Sequence, residues 1–517
     1  MKKLTIFLIA SSFILGSCKK HFLDINDNPN NPTSVPPSAI LSNILIGAAF
    51  TNANDLNRAT SVLVQHTAGV ANQVQQYDIF NLDNNFDNQW SFEIYGGVLV
   101  NAQILIDQYS QTSPAYSGVA KLIKAYVFSL TTDVWGDVPY SQAAQGVSPY
   151  PSPRFDKQED IYQGNSALGI TGLIDLVKDA VNDLGKPSVL VPTASADLVY
   201  KGDLTKWKRM ANSLLLKFAI QMSNKNPALA KSTIEYVLAN SAGYINSNAL
   251  DFEVPFGSSV GNRNPIFDFN NNLRNGDLML SSRLLALSRS LNDTIRLSKF
   301  FTKPNIPFTA TVTGPPTFVA FNNGSTATPP TLTSTVGNTT YIQRSKYNKY
   351  LTGTSEPLTS IPAPVGGDAP IRLLTNFQAN FILAEAVLTL GVTAPSSADA
   401  YYKAGITASM QKVGMTPAEI TQYFTDNPTI VTLSGTTQQQ LQQIITQKYI
   451  AWIGNGIEAY DDYRRTGYPV LTLPLNSAGD DPTVIPTRLP YTPNELARNP
   501  NAPNPRPKTN VKLWFAL

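Results

Sequence analysis

A single cysteine, Cys18, serves a chain of 517 residues, and it stands directly behind an apolar leader. Met1-Lys2-Lys3 is cationic, Leu4–Leu15 is apolar, and Gly16-Ser17 are small. That order is the layout of a secretory signal peptide over residues 1–17. The apolar run is shorter than the ~20 residues a membrane-spanning helix needs, and no other window of the sequence is long and apolar enough. An exported chain with one thiol forms no internal disulfide. Its stability must come from its core, and a chain of this length can bury a large one. Length alone would allow about three domains.

Leu15-Gly16-Ser17-Cys18 resembles the bacterial lipobox, in which the cysteine thiol is acylated before cleavage. The resemblance implies lipidation at Cys18, which then becomes the first residue of the mature chain. The other reading is an ordinary cleavage site that happens to precede a cysteine. One acyl chain contributes about 0.8 kcal/mol per buried methylene and holds only weakly, whereas two or three on one residue hold almost permanently. Residues 18–38, CKKHFLDINDNPNNPTSVPPS, are rich in Asn and Pro and read as a tether. Asp24, Asn26 and Asn28 alternate as in a calcium loop. Pro29 and Val35 stand where that loop needs Gly and Glu, so turn chemistry accounts for the stretch.

Once Lys2 and Lys3 are removed, 37 of the 39 Lys and Arg remain against 36 Asp and Glu, a net charge of +1. This is not the footprint of a nucleic-acid binder. Charged residues are 15%, below the usual ~25%. Asn, Gln, Ser and Thr must therefore supply much of the polar surface.

From Ala39 onward apolar residues recur at helical spacing. Examples are Leu122, Ile123, Tyr126, Val127 and Leu130, and Leu173, Leu176, Val177, Ala180 and Leu184. Asp203 is a candidate N-cap, and Gly391 a candidate stop. The pattern predicts paired helices: Val119–Thr132 with Gln158–Leu184, Asp203–Ser223 with Pro227–Asn240, and Phe377–Leu390 with Asp399–Val413. A long helix follows over Thr437–Gly454. Alanines at close positions, as in FILAEA and YYKAGITASM, suit tight helix contacts. The expected fold is mainly α: tetratricopeptide-like stacked helix pairs with long irregular loops and minor β. No clean 34-residue period is present. The helical body is expected over 39–517, with irregular insertions at about 303–345 and 466–511, and such loops on a rigid scaffold are where binding tends to sit.

Enzyme motifs lack their context. The chain has two histidines, His21 and His66, and neither an H-E-x-x-H nor a P-loop. No metal site or cofactor is expected. Gly257–Gly261, GSSVG, matches a nucleophile elbow, but no helix start follows Ser259 and no histidine lies beyond residue 66. GNGIEA at Gly454–Ala459 follows a helix rather than a strand, unlike a dinucleotide fingerprint. Glu458, Asp461 and Asp462 sit beside Arg464 and Arg465, so ion pairs are expected there instead of catalytic carboxylates.

TTDVWGDVPYSQA (Thr131–Ala143), PRFDKQEDIYQ (Pro153–Gln163), YKGDLTKWKRMANSLLLKFAIQM (Tyr200–Met222), GIEAYDDYRRTGYPVL (Gly456–Leu471) and RLPYTPNE (Arg488–Glu495) together resemble the SusD/RagB family of outer-membrane nutrient-binding lipoproteins. The matches run in order over nearly the whole chain. The resemblance implies a tetratricopeptide-like core and non-enzymatic capture of glycans or other oligomeric nutrients, peptides included. It implies a SusC-like TonB-dependent transporter as partner and an outer-membrane location through the lipid anchor. Trp135, Tyr140, Trp207 and Arg465 read as structural. A helical-repeat scaffold that contacts only proteins is the competing function.

Sugars present apolar C–H faces and many hydroxyls, so their sites combine aromatic rings with amides and carboxylates. Asn72–Tyr95, NQVQQYDIFNLDNNFDNQWSFEIY, is dense in both. Gln75, Gln76, Tyr77, Asp83, Asn85, Phe86 and Trp90 are the candidates for ligand contact. Otherwise Phe86 and Trp90 anchor the loop or pack beneath the next helix. Phe318–Asn323 is a weaker candidate.

Overall fold

A computed structural model of the protein describes residues 35–145, 150–304, 317–336, 339–353 and 366–517. Cys18, His21, the signal peptide and most of the tether lie outside the described residues, as does part of the 303–345 tract. The helices longer than one turn are α1 (Pro37–Ala53), α2 (Asp55–Leu63), α3 (Asn72–Asp78), α4 (Val100–Tyr109), α5 (Pro114–Trp135), α6 (Gln158–Gln163), α7 (Leu173–Asp183), α8 (Leu204–Gln221) and α9 (Pro227–Ala239). They continue with α10 (Ser282–Ser290), α11 (Thr294–Phe300), α12 (Asn376–Leu390), α13 (Ala398–Lys412), α14 (Pro417–Asp426), α15 (Thr437–Ala451), α16 (Gly456–Thr466) and α17 (Pro493–Arg498). Strand structure among the described residues is confined to four antiparallel two-stranded pieces. One of them joins Thr67–Gly69 to Leu278–Leu280.

The helix pairs are those the periodicity predicts: α5 packs on α7, α8 on α9, and α12 on α13. Every residue of α5 except Lys124 is buried, as expected of a helix that is apolar on all sides. Asp203 caps α8, its Oδ1 accepting from Thr205 N at 2.9 Å. Gly391 (φ 61°) closes α12 in the left-handed conformation. At the α12–α13 contact a Cβ on Gly405 would fall 2.8 Å from the Phe381 ring, which explains the small residue there.

Two predicted boundaries move. The stretch Gln158–Leu184 is two helices, because Gly164 (φ 83°) and Gly169 (φ 67°) turn the chain back between α6 and α7. A Cβ on Gly172 would fall 2.4 Å from Gly164 N, so the reversal is closed by bare backbone. The helix expected to reach Gly454 stops at Ala451, where the chain bends toward α16 through Gly454 (φ 98°).

An ion network lies inside the bundle. Lys217 of α8 donates to Glu458 Oε1 at 2.7 Å, and Gln378 of α12 donates to Glu458 Oε2 at 2.6 Å. Arg465 of α16 forks onto Glu385 of α12, one bond being 2.8 Å, and reaches Asp462 at 2.9 Å. Lys448 of α15 completes the group at 2.9 Å from Asp462. Burial alone would raise the Asp462 carboxyl, but Lys448 and Arg465 outweigh it and hold it below the usual range. The carboxylates at 458, 461 and 462 are thus ion-paired in the interior, as their flanking arginines implied.

Candidate functional site

The stretch 72–95 folds as α3, an irregular turn, and the start of a π-helical segment, Gln89–Leu99. Asn72, Phe80, Asn84 and Phe86 all have φ between 53° and 71°. Four non-glycine residues in this region need firm support from below. The aromatic rings supply it. Tyr77 stacks on Phe86 with centroids 5.6 Å apart, and Phe86 meets Trp135 edge-on at 6.3 Å. Trp90 packs 5.0 Å from both Trp135 and Tyr95, and its Nε1 donates to Glu495 Oε2 at 3.2 Å.

This arrangement corrects part of the sequence reading. Tyr77, Phe86 and Trp90 are 0%, 3% and 3% exposed, so none of them offers a ring face to a sugar. The anchoring alternative holds for Phe86 and Trp90, and it extends to Tyr77. The physical reason is the strained turn, which fixes its backbone by burying its rings against α5. The polar candidates do reach the surface: Gln76 and Asp83 are exposed, Gln75 and Asn85 half-buried. Asn85 donates to Asp83 O at 2.8 Å and accepts from Gln73 Nε2 at 2.9 Å. Gln76 accepts from Asn81 at 2.9 Å, and Asp83 pairs with Arg506 at 2.7 Å. Phe318 is buried, and Asn323 clamps the platform from inside by donating to Asp78 at 2.6 Å.

The ring that does face outward is Phe92, 73% exposed. One π-turn further on, Gly96 and Gly97 carry no side chain to cover it. Beside the platform lies a polar cluster that the sequence reading missed. Asn54 Nδ2 donates to Glu93 Oε1 at 2.6 Å, and Arg58 donates to Asn54 Oδ1 at 2.6 Å and to Asp55 at 2.5 Å. The Arg58 guanidinium lies 4.3 Å over the Phe269 ring. Glu93 Oε2, Arg58 Nε and the Tyr77 hydroxyl are buried atoms without a hydrogen bond. Burial pushes the Glu93 carboxyl up to about 7, against the pull of the bond from Asn54. Near neutral pH Glu93 can therefore donate or accept. A signal for Phe92 did exist: read as helix, residues 90 and 92 lie about 200° apart, so burial of Trp90 turns Phe92 outward.

The sequence profile of a family described as "Starch-binding associating with outer membrane" matches residues 29–492. The chain belongs to the SusD-like family. Three solved structures share its fold. A chitin-binding protein is 24% identical, with 93% of this chain and 100% of that one covered at a TM-score of 0.73. A chitin-binding SusD homologue from Flavobacterium johnsoniae is 22% identical, with 93% and 98% covered at 0.69. A SusD-like protein from Bacteroides thetaiotaomicron is 20% identical, with 93% and 99% covered at 0.73. A search of curated proteins returns no match.

In this SusD-like protein the residues that carry the family resemblance are structural. Trp135 Nε1 donates to Pro490 O at 2.9 Å, Tyr140 to Thr171 O at 2.7 Å, and Trp207 Nε1 to Asp197 Oδ2 at 2.8 Å. Ser259 sits exposed in a turn with no helix following directly. His66 is buried, its Nε2 3.0 Å from Tyr449 O, and desolvation lowers its pKa to about 3. No helix of the described residues is long and apolar enough to cross a membrane.

Proposed function

We propose that this protein captures glycans at the outer membrane and passes them to a SusC-like TonB-dependent transporter, with acyl chains on Cys18 holding it at the membrane. The family match over residues 29–492 carries the reading. The platform supports it: an exposed Phe92 ring for the apolar face of a sugar, with Asp83 and Gln76 exposed in the same stretch. Ion pairing of the carboxylates at 458–462 in the core supports a binding role over hydrolysis.

Affinity electrophoresis against soluble starch, glycol chitin and a peptide panel tests capture. Retardation by a polysaccharide is expected, and Phe92→Ala should abolish it without lowering the melting temperature. Silence across all polysaccharides, with a barrel protein still co-purifying, would leave the scaffold function instead. Mass spectrometry of the mature N-terminus tests the anchor. An unmodified Cys18 thiol on a protein washed off by buffer would remove it.

A further inference from the structure

A second cleft, of about 460 Å3, opens between α10, α13 and α15. It shares no lining residue with the platform. Its volume falls in the range of roughly 300–1,000 Å3 typical of small-molecule sites. Between Asp426 and Lys448 the sequence holds no ionisable side chain, in a chain where the solvated face of a helix would ordinarily carry charges. Residues 439, 442, 443, 446 and 447 recur at helical spacing along α15, and all five line the cleft as glutamine or threonine. Leu287, Leu291 and Ile430 form its apolar side.

The polar groups are arranged for a ligand. Gln442, Thr446, Thr429 and Ser434 make no side-chain hydrogen bond to another described residue. At the floor Gln447 is 1% exposed. Its Oε1 accepts from Arg296 Nη2 at 2.6 Å, and Arg296 is itself held by Asp293 at 2.7 Å. That chain fixes the amide with Nε2 turned to the Tyr423 side. Nε2 lies by the Tyr423 hydroxyl but makes no hydrogen bond of good geometry, and Tyr423 itself donates to Leu291 O at 2.9 Å. A capping box, Thr436 with Gln439, stiffens the rim.

A larger cleft, of about 570 Å3, makes the contrast. Lys299, Lys349, Arg372 and Lys412 line it, and Lys412 is already paired with Asp251 and Glu253 at 2.8 Å. The smaller cleft has no charge to attract an ion. It has amides, hydroxyls and an apolar wall, the complement of a neutral sugar's hydroxyls and C–H face.

We propose that this cleft is a second binding site, separate from the platform, for a short stretch of neutral oligosaccharide. It rests on the glycan-capture reading and adds a second point of attachment, so that a long polymer can be held at two places at once. Two contacts on one polymer raise its retention well beyond either alone, provided the chain can span both.

The test uses the full chain with maltoheptaose and chitohexaose. Hydrogen–deuterium exchange should show protection over residues 427–447 in addition to 72–99, and titration should give two binding events per chain. Gln442→Ala with Thr446→Ala, which breaks no internal bond, should weaken the second event about tenfold. Thr446→Trp, which fills the cleft, should abolish it, with the melting temperature confirming the fold. Phe92→Ala should leave the protection over 427–447 in place. Protection confined to 72–99, or its persistence at 427–447 in Thr446→Trp, overturns the second site while leaving capture intact. Protection of the cleft by peptides alone also overturns it. No binding of either sugar anywhere overturns both readings.

Discussion

Replacing Arg465 with leucine should lower the melting temperature by several degrees, and replacing Glu385 as well should restore most of it. Arg465 is 1% exposed and is the cation that pairs with the buried Glu385 side chain. Asp462 has a second cation in Lys448 at 2.9 Å. The single change therefore leaves one carboxylate, Glu385, buried and uncompensated. Breaking a buried pair in this way costs about 3–5 kcal/mol. Unfolding entropy near 60 °C is about 2.1 cal/mol/K per residue, or roughly 1 kcal/mol/K for a chain of this size. The expected fall is therefore about 3–5 °C by calorimetry at pH 7.5. Glu385→Leu with Arg465→Leu removes both charges and leaves the Asp462–Lys448 pair standing, so it should melt within about 1–2 °C of the parent. A double variant that melts as low as the single one would refute the reasoning, because the loss would then come from packing and not from a stranded charge.

Trp90→Ala should destabilise by about 3–5 kcal/mol, seen as a lower melting temperature, whereas Phe92→Ala should leave melting unchanged; equal melting of both would undo the inward–outward assignment of these rings. Glu93 carries a carboxyl raised from 4.5 to about 7 in the folded state. Its contribution is complete below pH 4.5 and lost as pH rises through 7. Glu93→Gln is blind to that loss, so its stability relative to the parent should improve between pH 5 and 8, by no more than about 3 kcal/mol; a flat difference across that range in paired thermal melts would contradict the burial argument. Gly405→Ala should cost about 1–3 kcal/mol in denaturant melts because its Cβ would press on the Phe381 ring, and Gly405→Ala with Phe381→Leu should recover part of it.

The helical pairs were legible because their signals are local. Asp203 and Gly391 mark their own helix ends, and the spacing through Leu122–Leu130 marks its own face. Gln158–Leu184 was misjudged as one helix because glycines at 164 and 169 act through the sign of φ, which hydrophobic spacing does not register. Within 72–95 the order of residues did not say which rings are buried. An irregular turn has no period, so nothing in its order says which rings face the core. Phe86 and Trp90 went inward because α5 offered Trp135 to pack on, and Tyr77 stacks on Phe86.

Sequence by itself determined the class of the fold, the helix ends at Asp203 and Gly391, and that the charges around residues 458–465 are paired. Tertiary structure alone decided which partners those charges meet, since Arg465 and Glu385 lie 80 residues apart and Lys217 and Glu458 lie 241 apart. It also decided that the glutamines of α15 line a cleft with Leu287 and Leu291 instead of a bare solvent face. The reason is range: backbone caps and periodicity act within one or two turns, whereas burial and electrostatic pairing depend on what distant segments bring to the same place.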